Sequence, residues 1–461
     1  MAKTKYKTIW GCTSCGATSP KWVGRCPECG EWNTMVEERT AATSSASRTP
    51  SPVAELAKSE PVAVSEIKVG EEQRLRMPSA ELNRVLGGGL VPGSIVLVGG
   101  EPGIGKSTLV LQNILAIKSR TILYVSGEES ASQIKMRADR IGRGSDNVFI
   151  VCETSLERIF EHIEAVQPGI LIIDSIQTIA TDALDSSAGS VSQVRECAAQ
   201  LLKYAKLTAT PVVLIGHINK EGTLAGPKVL EHIVDAVLQF EGDSRYMYRL
   251  LRGIKNRFGS TSEVGIYEMS QRGLREVTNP SALLVTDPEA EPLSGVAIGV
   301  TLEGARPLLV EAQALVSSAV YGTPQRSVTG FDRGRMNMLL AVLEKRVGFK
   351  LGAKDVFLNI AGGLRVNDPA LDLSVIAAIL SSNVDMPVPR GWSMTGEVGL
   401  SGEIRPVTRL AERIREAERL GLTDILVPGD ASSLKAVDQA SLSIRLHPVA
   451  RVADAFRALF G

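Results

Sequence analysis

The residues best suited to chemistry lie between 100 and 108, where the sequence reads GEPGIGKST. The pattern G-x-x-x-x-G-K-S is typical of a loop that joins a strand to a helix and turns its backbone N–H groups toward phosphates. In this pattern Lys106 reaches the outer phosphates and the Ser107 hydroxyl ligates Mg²⁺. The sequence therefore predicts a nucleoside triphosphate site formed by Gly100, Glu101, Pro102, Gly103, Ile104, Gly105, Lys106, Ser107 and Thr108.

Polar side chains also follow other apolar runs, where a hydrolytic site would need them. Asp174 comes directly after LII and is placed to hold Mg²⁺ through water. Glu128 and Glu129 follow YVSG, where a carboxylate can orient and deprotonate the attacking water. His217 ends LIGH and could sense the terminal phosphate, although a purely structural histidine is the alternative.

Four of the six cysteines lie in the first thirty residues, as Cys12-x2-Cys15 and Cys26-x2-Cys29. Two such turns supply the four thiolates of a tetrahedral zinc site, and so short a segment holds a core poorly without metal. An iron–sulfur site or redox-active pairs are the alternatives.

Cations and aromatic rings surround these cysteines, namely Lys3, Lys5, Lys7, Lys21, Arg25, Trp10 and Trp22. They suit single-stranded nucleic acid or a protein partner, although the tryptophans could instead form the small core. Cys152 and Cys197 lie in an apolar strand and a helix, and we expect them to fill core positions.

The composition is that of an ordinary globular protein, with 44% hydrophobic and 22% charged residues among 461. Lysine plus arginine and aspartate plus glutamate number 51 each, so any polyanion site must come from local clustering. No apolar run reaches the roughly 18–20 residues that span a bilayer, and the basic N-terminus lacks the apolar stretch of a signal peptide. We expect a cytoplasmic protein without a membrane partner.

The chain divides into four parts by composition and periodicity. Residues 1–38 hold the cysteines, and residues 39–66 are rich in Ser, Thr, Ala and Pro, as flexible linkers are. Residues 67–280 alternate apolar runs with helical stretches, which predicts an α/β domain with a parallel sheet and an antiparallel extension. Residues 281–461 are long enough for a separate domain.

The stretch RLLRGIKNRFG at 249–259 alternates apolar and basic residues and ends in Lys255 and Arg257. Taken alone, the pattern is typical of a charged edge strand that is protected from aggregation. Its cations acquire a different target if another subunit presents a phosphate to them.

The stretch SAELNRVLGGGLVPGSIVLVGGEPGIGKSTL resembles the start of a RecA-type ATPase core. Together with the cysteine pairs and KNRFG, it resembles the RadA (Sms) family of bacterial DNA repair proteins over nearly the whole chain. The resemblance implies a hexameric, DNA-dependent ATPase that binds single-stranded and branched DNA and drives branch migration with the RecA recombinase. It also implies that Glu128 is the catalytic glutamate and His217 the switch between nucleotide and DNA.

Residues 281–461 resemble the proteolytic domain of Lon in an α+β fold, through LNIAGGLRVNDPALDLSVIAAILSS and TGEVGLSGEIRPVTRLAERIREAERLG. The nucleophile turn reads Pro369-Ala370-Leu371-Asp372, and Ala411 stands where the activating lysine belongs. No Ser–Lys dyad forms from these residues, so we expect no peptidase activity. Basic residues of this domain are DNA-binding candidates, with a solvated helix face as the alternative: Lys345, Arg346, Lys350, Arg333 and Arg335.

These expectations combine into a ring in which Lys255 and Arg257 reach the terminal phosphate bound by a neighbouring subunit. Residues 219–232, which include Lys220 and Lys228, would form a DNA-gripping loop or else an ordinary connection. A nucleotide-switched scaffold of the KaiC-like kind and an ATP-dependent protease of the Lon type are the alternative functions.

Overall fold

The computed structural model describes residues 6–12, 17–41, 74–142, 144–217, 229–242, 248–285, 291–319, 324–363, 365–435 and 437–461. The chain forms two compact units, Met1–Val277 and Thr278–Gly461, so the division falls three residues before the predicted boundary at 280. Of the predicted linker at 39–66, only residues 39–41 lie within the described part, and they belong to a strand.

The cysteine-rich segment is a small antiparallel sheet in the order β2-β1-β3. Its strands are β1 (Tyr6–Cys12), β2 (Thr18–Ser19) and β3 (Met35–Ala41). The core consists of Cys12, Cys26 and Met35, with Trp10 packed against it. A core of so few apolar side chains does not stabilise a fold without an additional constraint, as expected for a metal-stabilised ribbon.

A nine-stranded sheet forms the larger part of the first unit, in the order β12-β11-β10-β9-β4-β8-β7-β5-β6. Strands β9, β4, β8, β7, β5 and β6 run parallel, and β10, β11 and β12 extend the sheet in antiparallel fashion, as predicted. The strands are β4 (Ile95–Gly100), β5 (Ile122–Ser126), β6 (Val148–Cys152), β7 (Ile170–Asp174), β8 (Val212–His217), β9 (Ala236–Glu241), β10 (Tyr248–Asn256), β11 (Val264–Ser270) and β12 (Gly273–Glu276).

Apolar cores cover both faces of this sheet because its central strands are continuous Val/Ile/Leu runs. Successive residues of β7 alternate between the two cores, with Ile170 and Ile172 on one face and Leu171 and Ile173 on the other. The accompanying helices are α1 (Ala80–Leu86), α2 (Lys106–Ala116), α3 (Ala131–Ile141), α4 (Leu156–Val166), α5 (Val191–Thr208) and α6 (Val229–Ile233).

Two expectations about this sheet are wrong. Strand β10, which carries RLLRGIKN, is an interior strand between β9 and β11, so the edge-strand interpretation fails. Cys152 is exposed rather than a core residue, because β6 is the last strand of the sheet and is covered less completely. Cys197 is fully buried, as expected, and burial raises the pKa of its thiol to about 12.

The second unit contains a mixed seven-stranded sheet in the order β15-β16-β14-β13-β17-β20-β21 and a two-stranded ribbon, β18-β19. Its strands are β13 (Val296–Glu303), β14 (Arg306–Ser318), β15 (Arg326–Thr329), β16 (Lys354–Ile360), β17 (Trp392–Met394), β18 (Glu397–Val398), β19 (Ile404–Arg405), β20 (Asp424–Pro428) and β21 (Arg445–Val449). Its α-helices are α7 (Ser281–Leu284), α8 (Arg333–Val342), α9 (Asp372–Val384), α10 (Leu410–Arg419), α11 (Ala431–Lys435) and α12 (Val452–Phe460). The α/β first unit and the α+β second unit agree with the predicted fold classes.

Two aspartate–arginine pairs flank the turn 369–372, which holds Ala370 at the predicted nucleophile position. Arg335 Nε donates to Asp372 Oδ1 at 2.8 Å, and Arg413 Nη1 lies 2.7 Å from Asp368 Oδ2. The side chain of Asp372 is fully buried, and Arg413 is 1% exposed. Arg335, a DNA-binding candidate from the sequence, therefore has its charge balanced inside the unit.

Replacing Arg335 with Met should lower the free energy of unfolding by about 3 kcal/mol at neutral pH, because the buried Asp372 carboxylate loses its charged partner. The matched control is Arg405→Met, which breaks a pair with Glu403 whose two side chains are 55% and 36% exposed. That loss should be much smaller, because both partners are solvated with or without the pair. Urea denaturation of the full chain measures both, and equal losses would show that the buried pair is not special.

Candidate functional site

The polar residues identified from the sequence meet at one edge of the large sheet. Strands β4 and β8 pair so that Gly100 stands opposite His217, and β5 and β7 pair so that Ser126 stands opposite Asp174. All four strands are parallel, so their carboxyl ends share this edge, where α/β proteins bind ligands.

The loop from Gly100 to Gly105 has the conformation that a phosphate cradle requires. Gly103 has a φ of +76° and no heavy atom within 4 Å of the position a Cβ would take. Gly105 has a φ of +113°, and a Cβ there would lie 2.7 Å from Met269 Cε, so only glycine fits. Gly105 is the N-cap of α2 and makes no side-chain hydrogen bond, so the helix N-terminus presents only backbone N–H groups to a ligand. These features fit the phosphates of a nucleotide.

Lys106 is 4% exposed, and its ammonium is surrounded by oxygen and nitrogen acceptors. Its Nζ donates to Gly100 O at 2.8 Å and to Glu101 O at 2.9 Å. Burial lowers the pKa of Lys106 to about 8, although the carboxylates of Asp174 and Glu128 oppose the shift. The lysine is therefore sensitive to any negative charge that arrives at the loop.

A hydrogen-bonded chain connects this ammonium to Glu128, the predicted catalytic carboxylate. Lys106 Nζ lies 3.2 Å from His217 Nδ1, and His217 Nε2 lies 3.0 Å from Glu128 Oε1. Because an ammonium only donates, Nδ1 accepts, and the proton of the neutral ring stands on Nε2 and is donated to Glu128. The three residues thus join the phosphate loop to the residue that would position water.

Ser175 is a site residue that the sequence reasoning missed. Its hydroxyl donates to Glu128 Oε1 at 2.5 Å. Burial alone would raise the pKa of Glu128, but the hydrogen bonds from Ser175 and His217, with the charge of Lys106, hold that pKa below its usual value. Glu128 is therefore an oriented carboxylate at neutral pH, and the one available signal in the sequence was that Ser175 directly follows Asp174.

Glu129 has a different environment from Glu128. It forms an ion pair with Arg137 on α3, away from the chain that begins at Lys106. Asp174 is 6% exposed and accepts a hydrogen bond from the Tyr124 hydroxyl. Burial first, and then the neighbouring Asp174 charge, keep the pKa of Tyr124 well above its usual range. Asp174 ends β7 and Ser107 lies in the first turn of α2, and carboxylate and hydroxyl oxygens are ligands of the kind that Mg²⁺ requires.

Lys255 and Arg257 lie near the amino ends of the parallel strands, whereas the phosphate loop lies at their carboxyl ends. Asn256 pairs with Ala236, which pairs with Val96 near the start of β4. Gly100 lies four residues after Val96 on β4, about 13 Å along the strand. Neither cation therefore belongs to the phosphate site of its own chain.

Both cations contact the segment between α6 and β9. Lys255 Nζ donates to Glu231 O at 2.5 Å and to Val234 O at 2.8 Å. Arg257 Nη1 donates to Asp235 Oδ1 at 3.2 Å, although 55% of the arginine side chain stays exposed. Burial first, and then the nearby Arg257 charge, lower the pKa of Lys255.

The cysteine cluster has the dimensions of a zinc site. The sulfurs of Cys12, Cys26 and Cys29 all lie within 4.8 Å of one another, and Cys12 Sγ is 3.7 Å from Cys29 Sγ. Two thiolates that are each about 2.3 Å from a tetrahedral Zn²⁺ are about 3.8 Å apart, so the three sulfurs fit the metal. Cys15, the fourth predicted ligand, lies outside the described residues.

The remaining candidates do not join the nucleotide site. Lys345, Arg346 and Lys350 are exposed, the first two on a π-helical turn, Leu343–Val347. Lys220 and Lys228 lie outside the described residues. Among the described residues, no helix has the length and apolar character needed to cross a membrane.

Replacing Ser175 with Ala should lower kcat for ATP hydrolysis by about tenfold, because Glu128 loses a hydrogen bond to its charged form. Removing that bond raises the pKa of Glu128, so the acid limb of the kcat–pH profile should move to higher pH. Ser126→Ala is the matched control, since it removes a buried hydroxyl that contacts Glu129 instead. If Ser175→Ala leaves the acid limb in place, Ser175 does not act through Glu128.

Binding of a non-hydrolysable Mg²⁺–ATP analogue should take up protons near pH 8, because the phosphates restore the charge of Lys106, whose pKa is about 8. Uptake from this group should vanish at pH 6.5, where the lysine is already protonated. Calorimetry in buffers of different ionisation enthalpy measures the uptake. Lys106→Arg is the control, since a guanidinium stays charged, and equal uptake in that variant would assign the proton elsewhere.

Three family models match the chain in chain order. Residues 10–37 match a rubredoxin metal binding domain, residues 63–223 an AAA domain, and residues 311–431 subunit ChlI of Mg-chelatase. The first agrees with the zinc cluster, and the second with the phosphate loop and its ligands for ATP and Mg²⁺. The chain is thus an ATPase that takes ATP, Mg²⁺ and Zn²⁺.

Curated relatives match over the full length. DNA repair protein RadA of Bacillus subtilis is 46% identical, with 100% of both chains covered. The protein of that name from Pseudomonas aeruginosa is 47% identical, with 99% of both covered. A solved KaiC-like protein from Pyrococcus horikoshii is 21% identical over 44% of this chain and 99% of its own, at a TM-score of 0.38. Because these relatives match at 46% and 47% identity over nearly their full length, this chain belongs to the DNA repair protein RadA family.

Proposed function

We propose that this RadA family member is a DNA-dependent ATPase of recombinational repair. In this proposal it forms a hexameric ring, binds single-stranded and branched DNA, and drives branch migration together with the RecA recombinase in the cytoplasm. The supporting observation is that the sequence places residues 218–228 directly between two elements that carry or contact candidate site residues. His217, at the end of β8, precedes them, and α6, whose end contacts Lys255, follows.

The hydrolytic step uses the residues at the carboxyl edge of the sheet. The phosphate loop and Lys106 bind the β- and γ-phosphates, and Glu128 orients a water in line with the γ-phosphorus. The water oxygen bonds to phosphorus as the bond to the β–γ bridging oxygen breaks, and the water proton passes to Glu128. Ser107 and, through water, Asp174 would hold Mg²⁺, which would neutralise charge on the phosphate oxygens.

His217 couples this step to DNA in the proposal. A bound γ-phosphate competes with His217 Nδ1 for the hydrogen bond that the Lys106 ammonium donates. Loss of that donor changes the hydrogen bonding of His217, which immediately precedes residues 218–228. The nucleotide state would in this way reach the predicted DNA-gripping loop with Lys220 and Lys228.

Lys255 and Arg257 complete the site of the neighbouring subunit. They are too far from their own phosphate loop, and the exposed Arg257 is available to a partner. Arginine fingers that act between subunits contribute on the order of 10³–10⁵ in rate in well-studied phosphoryl transfers. The exposed Lys345, Arg346 and Lys350 would add phosphate contacts for DNA in the second unit.

Subunit mixing tests the proposal. Lys106→Ala should abolish hydrolysis, and Arg257→Ala should suppress DNA-stimulated hydrolysis while sparing most nucleotide binding. A mixture of the two should regain activity, because an intact phosphate loop in one subunit meets an intact arginine in the next. Steady-state phosphate release with single-stranded DNA measures this result.

Lys206→Ala is the matched control, since Lys206 also pairs with Asp235, at 2.8 Å. It should retain DNA-stimulated hydrolysis if Arg257 acts on a neighbour rather than by balancing Asp235. Mixtures without regained activity would contradict the interface role. Absence of stimulation by DNA would favour a nucleotide-switched scaffold instead.

A further inference from the structure

Two tryptophans of the zinc ribbon project into solvent. Trp22 is 54% exposed and Trp32 is 67% exposed, whereas Trp10 packs against the cysteine core. The ribbon therefore uses one tryptophan for its core and leaves two large apolar rings uncovered. Such rings carry a free-energy cost in water that a bound partner would relieve.

Both rings approach Gly24. A Cβ on Gly24 would lie 3.6 Å from Trp22 Cη2 and 3.8 Å from Trp32 Cζ3. These two ring atoms are therefore at most about 7.4 Å apart, the sum of the two distances. The two exposed rings are therefore neighbours on one surface of the ribbon, and Gly24 has no side chain to cover them.

The zinc knuckle fixes the geometry of this aromatic cleft, formed by Trp22, Gly24 and Trp32. Arg25 and Trp32 face each other in an antiparallel bridge, and Asn33 N donates to Gly24 O at 2.8 Å. Cys26 and Cys29 lie in the turn that this bridge closes. Metal binding at the turn thus holds the two walls of the cleft in place, so little ordering entropy remains to be lost on binding.

A cation borders the cleft. Arg25 Cζ lies 5.9 Å from the centre of the Trp32 ring, and Arg25 Nε donates to Gly30 O at 2.9 Å. Lys21 is exposed next to Trp22 in the chain. Two carboxylates, Glu28 and Glu31, belong to the same hairpin, so net electrostatic attraction is weak and binding energy must come mainly from stacking.

We propose that the aromatic cleft is a stacking site for an unpaired nucleobase of single-stranded DNA. Every nucleobase has a π-face of the right thickness, so the site is tolerant of sequence, and Arg25 is positioned for the adjacent phosphate. This inference rests on the proposed function, since it assigns one DNA contact of that ATPase to the zinc ribbon. It differs from the phosphate contacts proposed elsewhere in requiring the base itself.

The test compares a thymidine oligonucleotide with an abasic oligonucleotide of equal length, by fluorescence anisotropy on the full-length protein. The double variant Trp22→Ala/Trp32→Ala should bind the thymidine strand at least fivefold more weakly and the abasic strand equally well. Its slope of log affinity against log salt should stay unchanged, because no phosphate contact is removed. Irradiation of an iodouracil-substituted strand should cross-link to Trp22 or Trp32 in the wild type.

The matched control is Val36→Ala, which removes an apolar side chain that is 50% exposed on the same ribbon. Zinc content should remain one ion per chain in all variants, which separates loss of stacking from loss of the fold. Val36→Ala should bind both strands as the wild type does.

Unchanged thymidine binding in the double variant, with wild-type stimulation of hydrolysis by DNA, would overturn the stacking site and leave the proposed function standing. A wild type that neither binds thymidine strands nor is stimulated by them would defeat the proposed function itself. Loss of RecA binding with intact oligonucleotide binding would show that the cleft takes a protein, and would also overturn the inference.

Discussion

A buried ammonium organises the nucleotide site. Lys106 is nearly inaccessible to water, so its charge has to be solvated by protein atoms, and the structure supplies two loop carbonyls and an imidazole. That imidazole is fixed by Glu128, and Glu128 is fixed in turn by Ser175. Each member of the chain is held by the one that follows it, and all of them depend on parallel strands that end at one edge.

A second buried charge organises its surroundings in the same way at the amino ends of the parallel strands. Asp235 is 1% exposed and accepts hydrogen bonds from Ile95 N at 3.1 Å, Lys206 Nζ and Arg257 Nη1. The carboxylate thus joins the start of β4, the end of α5 and the turn after β10. Because β4 leads directly to the phosphate loop, the strand is anchored at both ends by hydrogen bonds to charged groups.

Local patterns were enough to predict the phosphate loop, the zinc ligands and the parallel sheet, because each follows from neighbouring residues. The convergence of Asp174, Glu128 and His217 was also predictable, since carboxyl ends of parallel strands meet. Spacing alone did not separate Glu128 from Glu129, and the choice of Glu128 came from the family resemblance, because Glu129 differs in its ion pair with Arg137, on a helix that no spacing rule places.

Strand order was the weaker part of the prediction. Alternating charges on β10 suggested an edge, yet β9 and β11 cover both its sides, and the charges are balanced within the sheet by contacts such as Arg252 with Glu241. The prediction that Cys152 fills a core position was wrong for the converse reason, because an apolar run in the sequence does not reveal that its strand is the last one in the sheet. Likewise, composition could not tell which tryptophan of the ribbon forms the core.

The separation of Lys255 and Arg257 from the phosphate loop of their own chain has a consequence for assembly. Under the proposed interface role, each subunit carries two half-sites, one at each edge of its sheet. A linear row of subunits then leaves one phosphate loop without cations and one pair of cations without a phosphate, however long the row grows. Only closure makes the numbers of half-sites match, so the arrangement favours a ring over an open filament.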